Sequence, residues 1–348
     1  MNKKVLYLSF NDGTDMRVNK ELKSLYQHAF VDFVGINQAE DTGFIHHSEK
    51  ITLHMVVGKK TSALAVSTYF LKCIGLLIFH RYHSVHIINE PQLIILWPFL
   101  FLQKNVVLDI FDSIFLKRNK PGNQWKLIKK IVYAPADVII VTDENRKTML
   151  PDFARNHALI LPNYPYSFNK VKKENNKSSA LTIIYYGWLG LHRGTSIAQA
   201  MLDSGVEVNI IVAGWVGDTP SELLLKSPRI TWHGVIPQQQ ALELASQADY
   251  ILCVYAPVNK NNINASPNKI YDAIQVQVPV IINQEVAVST FVKEQKIGYV
   301  LPSYEISDWQ TVMSDLVRLR NSFSFHQDLI NKFTWESVEP ELMKAHKL

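Results

Sequence analysis

A short segment in the second half of the chain combines a helix start with a lysine and a carboxylate. It reads Ser266-Pro267-Asn268-Lys269, with Asp272 three residues further on. Serine is a favoured N-cap and proline a favoured first helical residue, so a helix is predicted to begin at Pro267 behind a Ser266 cap. Backbone N–H groups at a helix start attract anions. A phosphate bound there would face Lys269, and Asp272 could hold two ribose hydroxyls.

The same two charged residues admit a plainer interpretation. Lys269 and Asp272 share one helical face, and an exposed ion pair at this spacing contributes only a few tenths of a kcal/mol. The combination of an anion-ready helix start, a lysine and a carboxylate one turn later favours a binding site over a surface ion pair.

A second pattern suited to phosphate follows a predicted strand near residue 181. Gly187, Gly190 and Gly194 lie around Arg193, and a stretch compatible with a helix comes next. A glycine-rich turn before a helix offers backbone N–H groups to phosphate, and arginine adds a bidentate donor. An ordinary strand-to-helix turn has the same local pattern, so both interpretations stay open at this point.

Polar residues also follow two predicted strands of the first half. These are Asp12, Gly13, Asp15 and Arg17 after the first strand and Glu90 after the fourth. Ligands of open α/β sheets bind outside the carboxyl ends of the strands, so these residues are candidates for contact with a second substrate. For the first group, a turn with a helix cap is the alternative.

Two successive α/β sheets must position these residues. Short apolar runs alternate with segments of helical period, which is typical of parallel sheets covered by helices. Strands are predicted in the first half at 5–10, 30–35, 51–56, 85–89, 106–110 and 138–141. They are predicted in the second half at 181–187, 206–213, 230–233, 250–254, 280–283 and 299–301. The expected fold is two Rossmann-like domains with a central cleft between the carboxyl ends of their strands.

The domain limits follow from composition. Residues 168–180 are polar, charged and without apolar periodicity, so they are predicted to link a first domain, 1–167, to a second, 181–327. The final segment, 328–348, has helical character and is expected to be able to cross back to the first domain.

Length and composition exclude several classes of protein. The 348 residues are 47% hydrophobic, enough for two packed domains and against disorder. Cys73 and Cys253 lack the spacing of a zinc site or a disulfide framework, and the 12 histidines fit no metal-ligand pattern. A cytoplasmic protein without a metal or cofactor is expected. The apolar stretch 63–79 contains Lys72 and is predicted to be a buried or surface helix rather than a membrane span.

Positive charge is concentrated in the first half. Of the net charge of +5, residues 1–167 carry 20 Lys and Arg against 14 Asp and Glu, and the remainder carries 16 against 17. The densest cluster is Lys117, Arg118, Lys120, Lys126, Lys129 and Lys130. A solvated helix face is one interpretation. The other is contact with an anionic membrane surface or a phosphate-bearing acceptor, since each basic residue near lipid headgroups gains about 1 kcal/mol. Nucleic acid is not indicated, because no recognition motif accompanies the charge.

The order of motifs resembles a known family. The motifs are Gly187-x-x-Gly-x-x-Arg193-Gly194, Trp232-His233-Gly234-Val235-Ile236-Pro237, Ala248-Asp249-Tyr250-Ile251-Leu252, and Ser266-Pro267-Asn268-Lys269 with Asp272 before Pro279-Val280-Ile281. Together they resemble the donor half of the family-4 retaining glycosyltransferases of GT-B fold. Weaker similarity runs through Asp15-Met16-Arg17-Val18, Asn89-Glu90-Pro91, Asp109-Ile110-Phe111-Asp112, Ala136-Asp137-Val138 and Asn163-Tyr164-Pro165.

The resemblance implies roles for individual residues. Arg193 and Lys269 would grip the donor diphosphate, Asp272 would replace the family's ribose-binding glutamate, and Asn264 would replace the glutamate that faces the donor sugar. Further donor contacts are implied at Gly187, Gly190, Ser266 and Asn268. Asp12, Gly13, Arg17, Glu90, Asp109 and Asp112 would lie on the acceptor side. Phe111 departs from the histidine that many members carry there.

The implied activity is hexosyl transfer from a nucleoside diphosphate sugar, with a UDP-sugar favoured, to a glycan or lipid-linked acceptor in bacterial surface polysaccharide synthesis. Retention of configuration and independence of metal are expected with it. The basic first half and the apolar stretch 63–79 add the expectation of a peripheral position on the inner face of the membrane. Two alternatives stay open. One is a sugar-nucleotide epimerase of the same fold, and the other is a non-catalytic binding or scaffold subunit, which the departures at Asn264 and Phe111 would suit.

Overall fold

The computed structural model describes residues 3–37, 44–169 and 180–348. The chain divides into two compact units, Met1–Asn163 with Val338–Leu348, and Tyr164–Ser337. The division falls four residues before the predicted end of the first domain, because the Tyr164 ring packs against Tyr271 and Phe333 of the second unit at 4.5 and 5.1 Å between centroids. Residues 170–179 of the predicted linker lie outside the described residues.

The first unit contains a seven-stranded sheet in which every pairing is parallel. Its strands are β1 (Lys4–Leu8), β2 (Phe30–Asn37), β3 (Ile51–Val57), β4 (Ser84–Ile88), β5 (Val106–Asp109), β6 (Val138–Val141) and β7 (Ala158–Ile160). The spatial order is β3-β2-β1-β4-β5-β6-β7. The chain therefore reverses its direction of winding between β1 and β4, which is where open α/β sheets form a ligand crevice.

Helices cover both faces of this sheet. They are α1 (Met16–His28), α2 (Ala63–Phe79), α3 (Glu90–Leu100), α4 (Ile114–Lys117), α5 (Lys126–Tyr133), α6 (Glu144–Thr148) and α7 (Asp152–Arg155). The predicted helix 63–79 is confirmed as α2, which buries Ala65, Tyr69, Cys73 and Leu77 at intervals of one turn. Nowhere in the described residues does a helix have the length and apolar character needed to cross a membrane.

The two faces of the first sheet are packed differently. On one face Leu6, Leu8 and Val85 join an apolar core with buried side chains of α2 and α3. Successive strand residues point to opposite faces, so Tyr7 and His86, which pair in register, lie on the other face. That face carries a buried polar cluster described below.

The second unit contains a six-stranded parallel sheet in the order β10-β9-β8-β11-β12-β13. Its strands are β8 (Leu181–Leu189), β9 (Val208–Val216), β10 (Ile230–Trp232), β11 (Tyr250–Leu252), β12 (Val280–Asn283) and β13 (Gly298–Leu301). Its helices are α8 (Thr195–Asp203), α9 (Thr219–Leu224), α10 (Gln238–Gln247), α11 (Lys260–Ile263), α12 (Asn268–Val276), α13 (Ser289–Glu294), α14 (Trp309–Leu319) and α15 (Gln327–Lys332). The winding reverses between β8 and β11.

Apolar side chains cover both faces of the second sheet. One core includes Ile184, Ile251 and Ile282, and the other includes Ile183, Tyr250 and Ile281, as strand alternation requires. The last helix, α16 (Trp335–His346), begins with the fully buried Trp335. From Val338 onward the chain is assigned to the first unit.

Candidate functional site

Lys269 stands at the start of α12, beside the carboxyl end of β8. Its ammonium lies 5.5 Å from the centre of the Tyr186 ring, a cation–π contact. Gly187, the next residue on the strand, has a φ of 94°, and a Cβ atom there would lie 3.5 Å from the Lys269 Nζ. The Gly187 backbone therefore lies directly against this lysine, whose side chain is half-buried.

Tyr186 connects Lys269 to Asp272. The Tyr186 hydroxyl donates to Asp272 Oδ2 at 2.7 Å, and Gln238 Nε2 donates to Asp272 Oδ1 at 2.9 Å. Asp272 is 2% exposed. Its buried carboxylate holds the Tyr186 ring in place beneath the Lys269 ammonium. Burial, reinforced by Asp272, raises the pKa of Tyr186 well above its ordinary value and keeps the phenol protonated as a donor. The ribose contact expected of Asp272 stays a prediction.

Arg193 provides the second cation. It ends a 3₁₀ turn, Leu191–Arg193, after β8, and its guanidinium lies 4.4 Å from the centre of the Tyr255 ring that follows β11. Burial raises the pKa of Cys253 to about 12, against the opposing fields of Lys269 and Arg193. The electric fields of both cations therefore reach Cys253, the residue that follows β11. This is next to the point where the winding of the sheet reverses.

Neither cation is neutralised within its unit. Across residues 3–37, 44–169 and 180–348, no carboxylate lies within ion-pair distance of Arg193 or Lys269. In the same ranges the backbone N–H groups of Asn268 and Lys269 have no hydrogen-bond partner, as the first turn of a helix leaves them. Two cations and two open amides thus stand together, which is a set of donors for an anion.

The helix start differs from the prediction in its cap. Pro267 is the N-cap of α12, the first helical residue is Asn268, and no side chain caps the helix. The expected Ser266 cap is therefore wrong. The reason is that Pro267 has extended backbone angles, φ −73° and ψ 128°, which places it just before the helix. The open amides are still those of Asn268 and Lys269.

The glycine-rich turn also differs from its prediction. Its amides were expected to be open to phosphate, but several are already bonded. Gly190 N–H donates to the Tyr185 hydroxyl at 3.0 Å, Leu191 N–H donates to Asp218 Oδ2 at 2.6 Å, and Arg193 N–H donates to the Gly190 carbonyl at 2.9 Å. This turn therefore contributes the Arg193 side chain, and its backbone serves to fix that side chain.

Asn264, expected to face the donor sugar, ends α11. Its side-chain Nδ2 donates to the Lys260 carbonyl at 2.9 Å, which closes the last turn of this short helix. It lies three residues before the Pro267 cap, and the structure describes a helix-terminating role for it. Its contact with a sugar stays a prediction.

The first unit has a pocket of about 450 Å³ at the reversal point between β1 and β4. Polar groups from three strand ends line it, and apolar side chains of α2 and α3 close one side. The polar lining includes Asn11, Asp15, Asn89 and Asp112, and the apolar lining includes Phe10, Phe70, Ile95 and Phe111. The pocket lies within one unit and has the mixed lining of a small-molecule site.

Of the predicted acceptor-side residues, Asp112 lines this pocket directly. It is exposed, and its carboxylate lies 3.6 Å from Lys117 Nζ. Asp12 and Gly13 form the turn before α1. Asp12 accepts from the Thr14 N–H and hydroxyl, and it lies 3.5 Å from Lys60 Nζ. The alternative of a turn with a helix cap is therefore realised here, with Asp15 as the cap of α1.

Arg17, Asp109 and Glu90 were expected to face an acceptor, and the structure places all three in the interior, at 3% exposure or less. Arg17 Nη2 donates to Asp109 Oδ2 at 2.6 Å and Arg17 Nε donates to Glu21 Oε1 at 2.8 Å. Glu90 accepts from the Ser113 and Tyr133 hydroxyls at 2.7 and 3.2 Å. Glu21 of the same helix and Asp109 of β5 pair with Arg17, while Asp109 Oδ1 has no hydrogen-bond partner among the described residues. The acceptor contacts expected of these three residues stay predictions.

The pKa shifts in this cluster follow from burial and pairing. Burial opposes the charged form of Arg17, but Asp109 and Glu21 outweigh it and raise the pKa of the guanidinium. Burial raises the pKa of Asp109, with Arg17 opposing and Glu21 adding to the rise. Arg17 is therefore a fixed cation between two carboxylates.

Histidines extend this cluster to the end of the chain. His86 Nε2 lies 3.3 Å from Glu21 Oε2, His86 Nδ1 lies 3.0 Å from His346 Nε2, and His346 Nδ1 lies 2.7 Å from the Ser84 hydroxyl. Glu21, His86 and Asp109 have the residue types and spacing of a metal site. The Arg17 guanidinium already binds both carboxylates, so the positive charge of a metal is supplied by the chain itself.

Sequence reasoning missed several residues of both sites. Tyr186 lies within the predicted strand 181–187 and Tyr255 directly after the predicted strand 250–254, and neither was a candidate site residue. Each carries a hydroxyl that a purely apolar core would leave unsatisfied. Asn89 has a φ of 63°, and its Oδ1 accepts from the N–H groups of Phe111 and Asp112 at 2.8 and 2.9 Å. A left-handed asparagine after a strand is a recognisable turn signal.

No protein-family profile and no curated protein sequence matches this chain. Solved structures do. A sucrose-phosphate synthase from Thermosynechococcus elongatus superposes with a TM-score of 0.70 at 14% identity, covering 99% of this chain and 98% of its own. Anabaena HepE in complex with UDP superposes at 0.67 and 11% identity, with full coverage of both chains. The chain has the GT-B fold.

A third structure of this fold is the lipopolysaccharide outer core galactosyltransferase WaaB, with a TM-score of 0.61, 12% identity, and coverage of 99% of this chain and all of its own. The prediction of two parallel α/β sheets in a GT-B fold is confirmed by these superpositions. At such identities the likeness concerns the fold, and membership of family 4 stays a prediction.

Proposed function

We propose that this protein is a glycosyltransferase that transfers a hexose from a nucleoside diphosphate sugar, with UDP as the favoured nucleotide. The observation that supports this most directly is the pair of cations in the second unit. Arg193 and Lys269 stand over tyrosine rings at the reversal point of a parallel sheet, beside two open amides of α12, with no carboxylate of the described residues paired to them. A diphosphate is the anion that fits two cations and a helix start.

The proposed chemistry is substitution at the anomeric carbon of the donor. The bond from that carbon to the diphosphate oxygen breaks, the bond to an acceptor hydroxyl oxygen forms, and the hydroxyl proton passes to the departing diphosphate. Negative charge then builds on the departing diphosphate, and Arg193, Lys269 and the α12 amides stabilise it. Because the chain supplies this positive charge, we propose transfer without a metal. Retention of configuration is inferred from the family resemblance.

Two comparisons support the choice of donor and pathway. Anabaena HepE, of the same fold, has been solved with UDP, and WaaB is described as a lipopolysaccharide outer core galactosyltransferase. We therefore infer a glycan or lipid-linked acceptor in bacterial surface polysaccharide synthesis. The pocket between β1 and β4, with Asp112 and Asn89 in its lining, is the candidate acceptor site. A peripheral position at the cytoplasmic face of the membrane follows from a lipid-linked acceptor.

The test is a screen of UDP- and GDP-sugars for hydrolysis and for transfer, with and without EDTA, using wild type, Lys269→Ala and a matched control. Lys269→Ala removes a cation that contacts the leaving group, so a loss of about 10²- to 10³-fold in turnover is expected. The control is Lys293→Ala, an exposed lysine of α13.

A single nucleotide should dominate the screen, and EDTA should leave the rate unchanged. Turnover by Lys269→Ala at the wild-type rate would contradict the proposed donor site. Interconversion of the nucleotide-sugar itself without an acceptor would instead identify an epimerase.

A further inference from the structure

The outer faces of three neighbouring helices in the first unit are apolar. Of 21 exposed large hydrophobic side chains in the described residues, 12 lie between positions 64 and 131. They include Leu71 and Phe79 on α2, Ile95 on α3, and Leu127 on α5. Scattered exposed hydrophobic residues are ordinary, but a concentration of this kind marks an interaction surface.

These helices form one continuous surface. Helix α3 packs beside α2 on one side and beside α5 on the other. Trp97 Nε1 on α3 donates to the Ile131 carbonyl on α5 at 2.8 Å, which fixes that neighbour contact. Helix α3 has no polar residue after Gln92, so even its outward side is apolar. A helix that is apolar all round is normally buried in protein or in lipid.

Helix α5 buries one lysine and exposes large apolar side chains. Its inward side holds Val132, Tyr133 and Lys129, and the Lys129 ammonium donates to the carbonyls of Lys120 and Gly122 at 2.6 and 2.7 Å. Its outward side holds Leu127, 73% exposed, and Ile131, 57% exposed. The inward side is already packed within the unit, so these outward apolar side chains are available to a partner other than water.

Basic residues surround the apolar surface. Residues 61–135 contain nine Lys and Arg and three acidic residues, and two of those acids, Glu90 and Asp109, are fully buried. The exposed lysines Lys126 and Lys130 lie on α5 among the apolar residues, and Lys72 lies on α2. Long lysine side chains can keep their charge in the headgroup layer while the helix lies at the lipid boundary.

Trp125 marks the edge of this surface. It is 40% exposed, and Lys120 Nζ lies 5.5 Å from the centre of its ring. Its φ of 56° is unusual for a bulky residue and directs the chain into α5. An amphipathic ring held outward beside lysines suits the boundary between lipid headgroups and acyl chains.

We propose that the outer face of α2, α3 and α5 binds the surface of an anionic phospholipid membrane. The charge of this surface indicates the partner. Its apolar side chains match the acyl chains of a membrane, and the basic residues around them match anionic headgroups. Ile95 belongs both to this surface and to the lining of the pocket between β1 and β4. Membrane contact would thus bring a lipid-linked acceptor to the pocket, a consequence that rests on the proposed function.

The test is cosedimentation of the full chain with vesicles of phosphatidylcholine alone or with added phosphatidylglycerol. Binding is expected to be far stronger with phosphatidylglycerol and to weaken with salt. Replacing Lys126 and Lys130 with alanine should reduce affinity for the anionic vesicles about 25-fold, at about fivefold per lysine. Replacing Leu127 and Ile131 with serine should reduce binding to both vesicle types by about tenfold or more.

Matched controls on the second unit separate this surface from charge or apolarity in general. Leu223→Ser with Val258→Ser removes comparably exposed apolar groups, and Lys226→Ala with Lys293→Ala removes two exposed lysines. Both should change binding less than twofold. Equal losses in the controls, no binding to anionic vesicles, or self-association of the chain through Leu127 and Ile131 would overturn the proposal.

A second readout keeps this inference separate from the proposed function. UDP should shift the melting temperature of the surface variants as it does that of wild type, because Lys269 and Arg193 are unchanged. Vesicle binding without any nucleotide shift would support the surface and contradict the donor site instead.

Discussion

Both units place charged residues at the point where a parallel sheet reverses its winding, but they treat those charges differently. In the first unit Arg17 is buried between Glu21 and Asp109 and makes ion pairs at 2.8 and 2.6 Å. In the second unit Arg193 and Lys269 contact tyrosine rings at 4.4 and 5.5 Å, with no carboxylate of the described residues in ion-pair range.

The presence or absence of carboxylate partners distinguishes charges that stabilise the fold from charges that can bind a ligand. A buried cation with two carboxylates has nothing left to offer an anion, and removing one partner exposes the others to the full penalty of desolvation. A cation over an aromatic ring retains its donors. The position of a charged residue at a strand end is therefore not sufficient to assign function, and its partners must be known.

The largest expected effect concerns the buried ion cluster. Arg17→Leu leaves Glu21 and Asp109 uncompensated, so it should lower the free energy of unfolding by about 3–5 kcal/mol. Arg318→Leu is the control, since Arg318 also lies 2.6 Å from a carboxylate, that of Asp315, but is exposed. The loss of unfolding free energy in Arg318→Leu should be much smaller, because solvent screens an exposed ion pair. Urea denaturation of the full chain measures both, and similar losses would contradict the contrast between the units.

A matched pair of tyrosines sharpens the comparison. Tyr7 donates to Glu21 Oε2 at 2.6 Å in the first unit, and Tyr186 donates to Asp272 Oδ2 at 2.7 Å in the second. Changing either to phenylalanine removes one hydrogen bond to a buried carboxylate and should destabilise by about 1–3 kcal/mol. Only Tyr186→Phe should also weaken binding of UDP, several-fold, in calorimetry. An equal effect of Tyr7→Phe on UDP would show that the two clusters are not functionally distinct.

The smallest effect is a pH dependence confined to the first unit. Burial lowers the pKa of His346 and of His86, the positive field of Arg17 lowers that of His86 further, and protonation of His86 would lower that of His346. Tyr7, Glu21, Arg17, Asp109 and His83 are the other titratable groups around this pair. Both histidines are neutral when folded, so their contribution is complete above the ordinary pKa of about 6.5 and is lost as the pH falls below it.

Comparison with His346→Gln isolates this contribution, because Asp109 and the other groups titrate in both proteins. Between pH 7.5 and 5.5, wild type should lose about 1.4 kcal/mol more unfolding free energy than the variant. Thermal or urea unfolding at the two pH values measures it. If the difference in unfolding free energy between wild type and His346→Gln did not change with pH, the lowered pKa of His346 would be contradicted.

Much of the fold followed from local patterns. The strand pattern predicted twelve strands close to their observed limits, because apolar runs of a fully buried parallel strand are distinctive. The three-residue β7 was missed, since Ala158–Ile160 is too short to show any periodicity. The domain division near Asn163 depended on the packing of Tyr164 with Phe333, residues that lie far apart in sequence.

The sites could be predicted only in part. Lys269 and Arg193 were found because their local settings, a helix start and a glycine-rich turn, are written in neighbouring residues. The burial of Arg17 and Asp109 could not be foreseen, because their ion pair joins α1 to β5 across 92 positions of sequence. The contact of His86 with His346 joins residues 260 positions apart, and no local signal marks it.

The central claim is that Arg193 and Lys269 of the second unit bind a nucleoside diphosphate. Calorimetric titration of the full chain with UDP tests it most directly. Wild type should bind UDP, and Lys269→Ala should bind at least about 100-fold more weakly while its unfolding free energy changes by less than about 1 kcal/mol. At 100 times the dissociation constant, UDP should stabilise wild type by about 2.7 kcal/mol. Absence of binding by UDP and GDP, or equal binding by wild type and Lys269→Ala, would contradict the account.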